Sequence, residues 1–307
     1  MKVGVIMGGV SSEREVSLLT GKEMIANLDR DKYEVVPVVL DSKRDLIEKS
    51  AGIDIALLAL HGKYGEDGTV QGTLESLGIP YTGCGVLSSS VSMDKDLSKK
   101  LLRFENVPTG NWIQVESLEE LSVDDVEVQL GLPVVVKPNS GGSSIGTKLV
   151  KTKEAIGEAV QEALEWDRSV MIEQFIGGQE ITCAILNGKL LPIVAIKANA
   201  EFFDYTSKYE DGGADEQVIE LPAEVQARVE AAALACYRAL KCSVYARIDM
   251  IITEEGMPFV LEANTLPGLT KNSLLPKSAS AAGISFSQLL DSIIEYSLIE
   301  RKRENKE

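Results

Sequence analysis

The feature that most limits what this chain can become is an alternation near its start, where short apolar runs are separated by segments of helical character. Residues 2–7, 33–40 and 53–60 are mostly apolar, and half of the first two runs is β-branched, as strands are. After the first run come Gly8 and Gly9, a turn, and then Ser12 with Glu15 three residues on. That spacing is a capping box and predicts a helix running toward Leu28. Strand, helix and strand in this order build a parallel sheet with helices on its faces, here a doubly wound α/β domain. Such sheets collect ligands beyond the carboxyl ends of their strands. Glu13 follows the first strand and His61 the third, so the two can face one crevice.

The full 307 residues exceed one domain of about 150 residues, and the pattern changes after the first third. A helix is predicted over 86–104, a mixed connection over 107–131 and an apolar strand over 133–137. Next comes Asn139-Ser140-Gly141-Gly142-Ser143-Ser144-Ile145-Gly146, followed by strand-like residues 147–150. A P-loop would need GxxxxGK with Ser or Thr opening a helix, and a dinucleotide turn would need GxGxxG. The segment is neither and reads as a glycine-rich hairpin flap. A helix over 153–165 and a strand over 169–175 complete a small α+β unit. Strands over 180–186 and 190–197, a long loop and a helix over 223–240 follow. The closing helix has an apolar face through Phe286, Leu290, Ile293 and Ser297 and a charged tail expected to fray.

Charge narrows the function classes. Asp and Glu outnumber Lys and Arg, 47 to 31, for a formal net charge of −16. Such a chain repels a nucleic-acid backbone but can still hold one local basic pocket for a small phosphorylated ligand. The best apolar run, 53–60, carries Asp54 and falls far short of the roughly 20 residues that span a bilayer. The apolar opening meets glycines and charges too soon for a secretory leader, so no membrane partner and a cytoplasmic location are expected. Cys84, Cys183, Cys236 and Cys242 have no CxxC spacing and read as buried thiols. His61 is the single histidine, which removes any metal centre that needs two imidazoles.

The stretches 246–252 and 259–264 alternate in polarity about a turn at Glu255-Gly256, as a β-hairpin does. Pairing about that turn sets Asp249 opposite Glu262 and Arg247 opposite Asn264. All four fall on one face, with Ile248, Met250, Leu261 and Ala263 on the other. Facing carboxylates about 5 Å apart repel by roughly 3 kcal/mol at an effective dielectric near 20. Either Arg247 or a nearby lysine screens them, or a hard divalent cation lies between, for which two carboxylates and an amide oxygen form an all-oxygen set suited to magnesium. The surroundings favour the cation. Magnesium of this kind also holds phosphates, and the flap offers backbone N–H groups with Ser143 and Ser144 to receive them. Lys95 and Lys137 could add positive charge.

The order of these motifs resembles that of the D-alanine:D-alanine ligases, a family of the ATP-grasp superfamily, from residue 1 to about residue 290. The resemblance is carried by residues 8–17 around Ser11, Ser12 and Glu13, by 60–69 from Leu60-His61-Gly62 to Gly65-Glu66-Asp67-Gly68-Thr69, and by Met93-Asp94-Lys95. Further along it is carried by the flap with Lys137, by Ser207-Lys208-Tyr209, by Arg247-Ile248-Asp249, and by Glu262-Ala263-Asn264 through Pro267-Gly268 to Ser273-Leu274.

The resemblance implies an N-terminal substrate-binding domain over 1–92. It also implies a two-part ATP-grasp fold: a central part with the flap over 93–179 and a C-terminal part with a lid loop and metal site over 180–307. ATP would lie between the two parts, with Lys95, Lys137, Ser144 and Lys208 on its phosphates. The strand end Glu173 to Ile176 would meet the adenine, and Glu180 the ribose. Asp249, Glu262 and Asn264 resemble ligands of two magnesium ions, Glu262 bridging them, with manganese as a substitute. Glu13 would hold the ammonium group of a first D-alanine beside His61, and Ser273 with Leu274 the carboxylate of a second. Arg247 and the Gly268 N–H would stabilise an oxyanion. Ser143, Tyr209 and Glu13 would form a hydrogen-bonded trio. One departure is Gln174, where many members of the family have lysine.

The implied activity is ATP-dependent ligation of two D-alanines through an acyl phosphate for peptidoglycan precursor synthesis, by a homodimer. Two rivals stand beside it, a D-alanine:D-lactate ligase of the same fold and a non-catalytic nucleotide-binding regulatory protein. Residues 199–216, with four aromatics and Gly212-Gly213, are expected to form the lid, and Tyr209 to favour an amine as second nucleophile.

Overall fold

The N-terminal apolar runs form three parallel strands, β1 (Lys2–Gly8), β2 (Glu34–Leu40) and β3 (Ile55–Leu58), in the order β2-β1-β3. The structure is a computed structural model that describes residues 1–198 and 214–304. Helices α1 (Arg14–Asn27), α2 (Asp45–Lys49) and α3 (Thr69–Ser76) complete this unit. Val3, Val5 and Ile6 of the central strand β1 and Leu57 of β3 have no exposed surface, as a parallel sheet covered on both faces requires. The expected capping box is absent, because Glu13 is the N-cap of α1 and makes no side-chain cap bond. Ser11 takes that place: its Oγ accepts the Glu13 N–H at 3.2 Å and donates to the His61 carbonyl at 2.7 Å. The two strand ends that face the crevice are thereby tied together.

The helix expected over 86–104 is broken. Asp94 leaves the helical region (ψ 100°) and its carboxylate accepts the Leu97 N–H, so α4 (Val86–Met93) ends and α5 (Lys95–Phe104) begins afresh. The aspartate competes for backbone donors as an N-cap does, and the break makes Lys95 the first residue of a helix. Next come β4 (Trp112–Val115), α6 (Val123–Leu130), β5 (Val134–Pro138), β6 (Lys148–Val150), a 3₁₀ turn (Lys153–Ala155), α7 (Ile156–Leu164) and β7 (Val170–Gln174). The strands pair antiparallel in the order β4-β7-β5-β6, and β5 and β6 are the two arms of the flap hairpin.

The last sheet runs β11-β10-β8-β12-β13, with a short β9 on β8. Its strands are β8 (Gln179–Leu186), β9 (Lys189–Leu190), β10 (Val194–Ala198), β11 (Ala214–Val218), β12 (Tyr245–Ile252) and β13 (Pro258–Asn264). The strand expected over 190–197 is thus two strands. Residues 214–216, expected in the lid, belong to β11, which pairs with β10. Helix α8 (Ala223–Ala239) covers one face, where Val229, Ala233 and Cys236 join Ile248 and Met250 in one buried cluster. All four cysteines are unpaired and buried.

Helices α9 (Leu274–Ala281) and α10 (Phe286–Glu304) close the chain. Leu289, Leu290, Ile293 and Ile294 of α10 share a core with Val3, Ile6 and Leu57 of the first sheet. The charged tail does not fray over its described length. Arg301 is buried, and its guanidinium donates to the Tyr81 hydroxyl at 2.6 Å and the Gly83 carbonyl at 3.1 Å. Among the described residues no helix is long and apolar enough to cross a membrane.

Candidate active site

Two cavities meet where the three sheets converge. The larger, about 450 Å³, lies between the central and last sheets, and its wall includes Lys95, Lys137, Ser144, Ile176, Glu180 and Glu262. The second, about 420 Å³, is bounded by Glu13, His61, Arg247, Gly268, Ser273 and Leu274. Gly142, Ser143, Glu180, Asp249 and Glu262 belong to both walls, so the cavities share a junction rich in charge.

The flap is placed by its base. Asn139 accepts the Asp96 N–H through Oδ1 at 2.9 Å and donates through Nδ2 to Asp94 at 2.8 Å, locking β5 to the break between α4 and α5. Lys95 Nζ then reaches the Gly141 carbonyl at 2.6 Å and lies 3.5 Å from Glu262. Ser143 and Ser144 both adopt left-handed backbone, with φ of 54° and 57°. Successive residues in unusual turns can aim neighbouring N–H groups at an anion. At the flap tip the Ser143 hydroxyl donates to Glu13, a contact across the junction. Gly62 permits it, because a Cβ there would fall 2.4 Å from a Glu13 carboxylate oxygen.

Lys137 lies behind the flap at the end of β5, with Nζ 2.5 Å from Glu173 on β7. The other Glu173 oxygen is held by Lys99 of α5. Burial alone would raise the Glu173 carboxyl, but Lys137 and Lys99 outweigh it and hold the group below its usual value. For Lys137 burial pulls downward, and Glu173 followed by Glu262 reverses this, so its ammonium is held above the usual value. Burial wins for Lys99, which sits below its usual value despite Glu173.

The hairpin of β12 and β13 has the predicted register at the site, Asp249 opposite Glu262 and Arg247 opposite Asn264. Beyond it the register slips between Asp249 and Met250. Val260 is therefore buried with Ile248 and Met250, whereas Leu261 lines the larger cavity. This corrects the expectation that Leu261 lies on the opposite face: a β-bulge adds one residue to a strand and turns the side chains past it. Arg247 grips Asp249 with two bonds, Nε to Oδ1 at 2.9 Å and Nη2 to Oδ2 at 2.8 Å. Thr182 of β8 donates to Asp249 at 2.6 Å and Asn264 donates at 3.0 Å. Burial works against the Arg247 charge, but Asp249 and then Glu262 outweigh it, and the guanidinium stays protonated well above its usual value.

Across the second cavity, His61 is buried, with Nε2 3.1 Å from the Thr20 hydroxyl and Nδ1 3.7 Å from Glu66. Ser273 precedes α9, and its Oγ accepts the Thr270 N–H at 3.1 Å. A Cβ on Gly268 would come 3.0 Å from that Oγ, so the backbone passes close by. Every candidate among the described residues thus borders one cavity or both. Lys208 and Tyr209, with residues 199–213 of the expected lid, lie outside the described residues. Lys99, Thr182 and Glu66 were not singled out from the sequence. Lys99 stands one helical turn after Lys95, and Thr182 two residues past Glu180 in an alternating strand, so periodicity places each on the same face as a candidate but does not show its partner.

The donor set fits a divalent cation. Asp249 and Glu262 face each other on one register position with Asn264 two residues on, all oxygen donors of the kind magnesium prefers, and Lys95 and Arg247 stand beside them as counter-charge. Among the described residues no cluster of three or more His, Cys, Asp or Glu side chains of metal-holding arrangement occurs, and this set draws its third donor from an amide.

Residues 2–52 and 42–84 match the family description "D-ala D-ala ligase N-terminus", and residues 101–295 match "D-ala D-ala ligase C-terminus". Over 304 residues the chain is 61% identical to the D-alanine–D-alanine ligase of Bacillus anthracis, covering 99% of each protein. A crystal structure of a Bacillus anthracis D-alanine–D-alanine ligase complexed with ATP superposes with a TM-score of 0.91 at 58% identity, covering 99% of this chain and 100% of that one. The VanG D-Ala:D-Ser ligase of Enterococcus faecalis is more distant, at 31% identity and a TM-score of 0.85 over 96% of this chain and 99% of that one. On these matches across nearly its whole length, the chain belongs to the D-alanine–D-alanine ligase family of the ATP-grasp superfamily.

Proposed function

We propose that the chain joins two molecules of D-alanine into D-alanyl-D-alanine at the expense of ATP, for peptidoglycan precursor synthesis. The observation that carries this reading is the shared junction at Asp249 and Glu262, which lets a phosphate in the larger cavity meet a carboxylate in the second. ATP occupies the larger cavity, its phosphates toward Lys95, Lys137 and Ser144, its adenine against the strand end from Glu173 to Ile176, and its ribose at Glu180. The first D-alanine sits in the second cavity, its ammonium on Glu13 beside His61. Its carboxylate attacks the γ-phosphorus, the bond to ADP breaks, and an acyl phosphate forms.

The second D-alanine is held by its carboxylate at Ser273 and Leu274. Its amine, having lost a proton, attacks the acyl carbon, and the bond to phosphate breaks as inorganic phosphate leaves. Arg247 and the Gly268 N–H are suited to the negative oxygen that develops, and fixed donors of this kind supply a large share of catalysis in acyl transfer. Arg247 needs no reorganisation for this, because Asp249 already fixes its plane. The flap, joined to Glu13 through Ser143, keeps water from the acyl phosphate.

Asp249, Glu262 and Asn264 would hold two magnesium ions, with manganese an acceptable substitute. When bound, the metal would withdraw charge from the phosphate oxygens. On the resemblance alone, Lys208 belongs with the phosphates and Tyr209 with selection of an amine, within three domains bounded near residues 92 and 179. A homodimer in the cytoplasm follows from the same resemblance.

The test supplies purified protein with ATP and magnesium, adds D-alanine alone or in competition with D-lactate and D-serine, and measures ADP release and product mass. D-alanine-dependent ADP release with an amide-linked dimer of D-alanine is expected. ATP turnover that ignores D-alanine would overturn the reading, and a predominant ester product would move the chain to the D-lactate class.

A further inference from the structure

The wall of the larger cavity has a charge problem. Among the described residues it carries Lys95, Lys137 and Lys197 against Glu173, Glu180, Asp249 and Glu262; Asp249 is answered by Arg247 and would share metal with Glu262, whereas Glu173 is set directly against a lysine that faces the polyanion. Glu173 is the most damaging of the four, because it lies 2.5 Å from Lys137. By itself that pair would be closed and neutral, with its cation already spent.

Lys99 lies just behind this wall. It is completely buried, does not line the cavity, and takes the Glu173 oxygen that Lys137 leaves. Its ammonium also bonds the Thr109 hydroxyl, which donates in turn to the Val260 carbonyl at 2.8 Å, next to Leu261 and Glu262. Its Nζ lies over the Trp112 ring, 5.6 Å from the ring centre. A buried ammonium with so much desolvation against it is retained only where partners repay it. Glu173 shared between two lysines leaves the trio with one net positive charge, and the lysine of the trio that reaches the cavity as well as the carboxylate is Lys137.

We infer that Lys99 is a positioning residue for ATP binding: it neutralises Glu173 from behind the wall, so that the charge of Lys137 is left for the nucleotide phosphates. The inference rests on the reading of the larger cavity as the ATP site. It adds a residue that touches neither substrate nor metal and acts through a carboxylate.

A charge role for Lys99 has a consequence that a packing role does not. Lys99→Met leaves Lys137 locked to Glu173, whereas Lys99→Met combined with Glu173→Gln leaves Lys137 facing a neutral amide and restores one net charge. ATP affinity is measured by calorimetry, with KM for ATP and for D-alanine and the melting temperature alongside. Lys99→Met is expected to weaken ATP by about tenfold, equivalent to about 1.4 kcal/mol, with KM for D-alanine unchanged. The double variant is expected to bind ATP at least about threefold more tightly than Lys99→Met, since a rescue of this kind is a coupling between contacting charges. Should the single variant fail to fold, the double variant decides alone. Wild-type affinity in Lys99→Met, or a double variant that stays unfolded or binds no better than the single one, overturns the inference. Wild-type protein that binds no ATP at all overturns instead the reading of the cavity.

Discussion

Glu262 shows how one residue serves both cavities. It faces Asp249 across the hairpin and has Lys95 within 3.5 Å. If it holds metal, Glu262→Gln abolishes turnover, and magnesium with nucleotide raises the melting temperature of wild type more than that of the variant. Full activity of the variant at ordinary magnesium would sink the metal assignment. Glu173 carries a second expectation, for stability. Its folded pKa lies below the usual 4.5, so its contribution is complete above about 4.5 and is lost as pH falls through the lowered folded value. Glu173→Gln leaves two buried ammonium groups without their anion and costs about 3–5 kcal/mol near neutral pH. That deficit should shrink on acidification, as denaturant unfolding at stepped pH will show; a constant deficit down to pH about 2 contradicts the assignment.

At the scale of elements, the flap separates what its backbone does from what its side chains do. Ser144 adopts a left-handed conformation (φ 57°) that glycine accepts freely and a β-branched residue does not. Ser144→Gly deletes the hydroxyl and keeps the turn, whereas Ser144→Val strains it by about 1–3 kcal/mol. If flap N–H groups receive phosphate, KM for ATP rises by less than about threefold in the glycine variant and more than about tenfold in the valine variant. The opposite order would assign the binding to the hydroxyl. The flap and its strands were legible in the sequence because glycine clustering and β-branched runs are local signals. The break at Asp94 was not, since Asp94 stands between residues that both favour helix, and only its clasp with Asn139, 45 positions away, shows why it caps.

On the scale of the whole molecule, the C-terminal helix decides how the first domain is held. Arg301 joins α10 to Tyr81 and Gly83 and pairs with Glu304 at 2.8 Å, while Leu290 and Ile294 fill the N-terminal core. Arg301→Ala leaves the Gly83 carbonyl short of a donor and is expected to destabilise by about 1–3 kcal/mol, with kcat retained because neither cavity of the site includes it. A melting curve and a rate at one saturating substrate level check this together. A fall in kcat without a fall in melting temperature would show that the clasp governs domain geometry and not stability.

What the sequence determined by itself was everything written in short spans: the parallel strands, the flap, and the register that sets Asp249 against Glu262 and Arg247 against Asn264. Periodicity and turn position settle these, because strand neighbours in a hairpin are fixed by counting from the turn. The same spans carried the family. Only the tertiary structure decided the contacts whose partners lie far apart in the chain, such as Ser143 with Glu13, 130 residues away, and Thr182 with Asp249, 67 residues away. It also decided the bulge that turns Leu261 into the cavity, and the burial of Lys99 against Glu173. Such choices depend on which groups compete for a buried charge once the sheets converge, and a linear pattern does not record that competition.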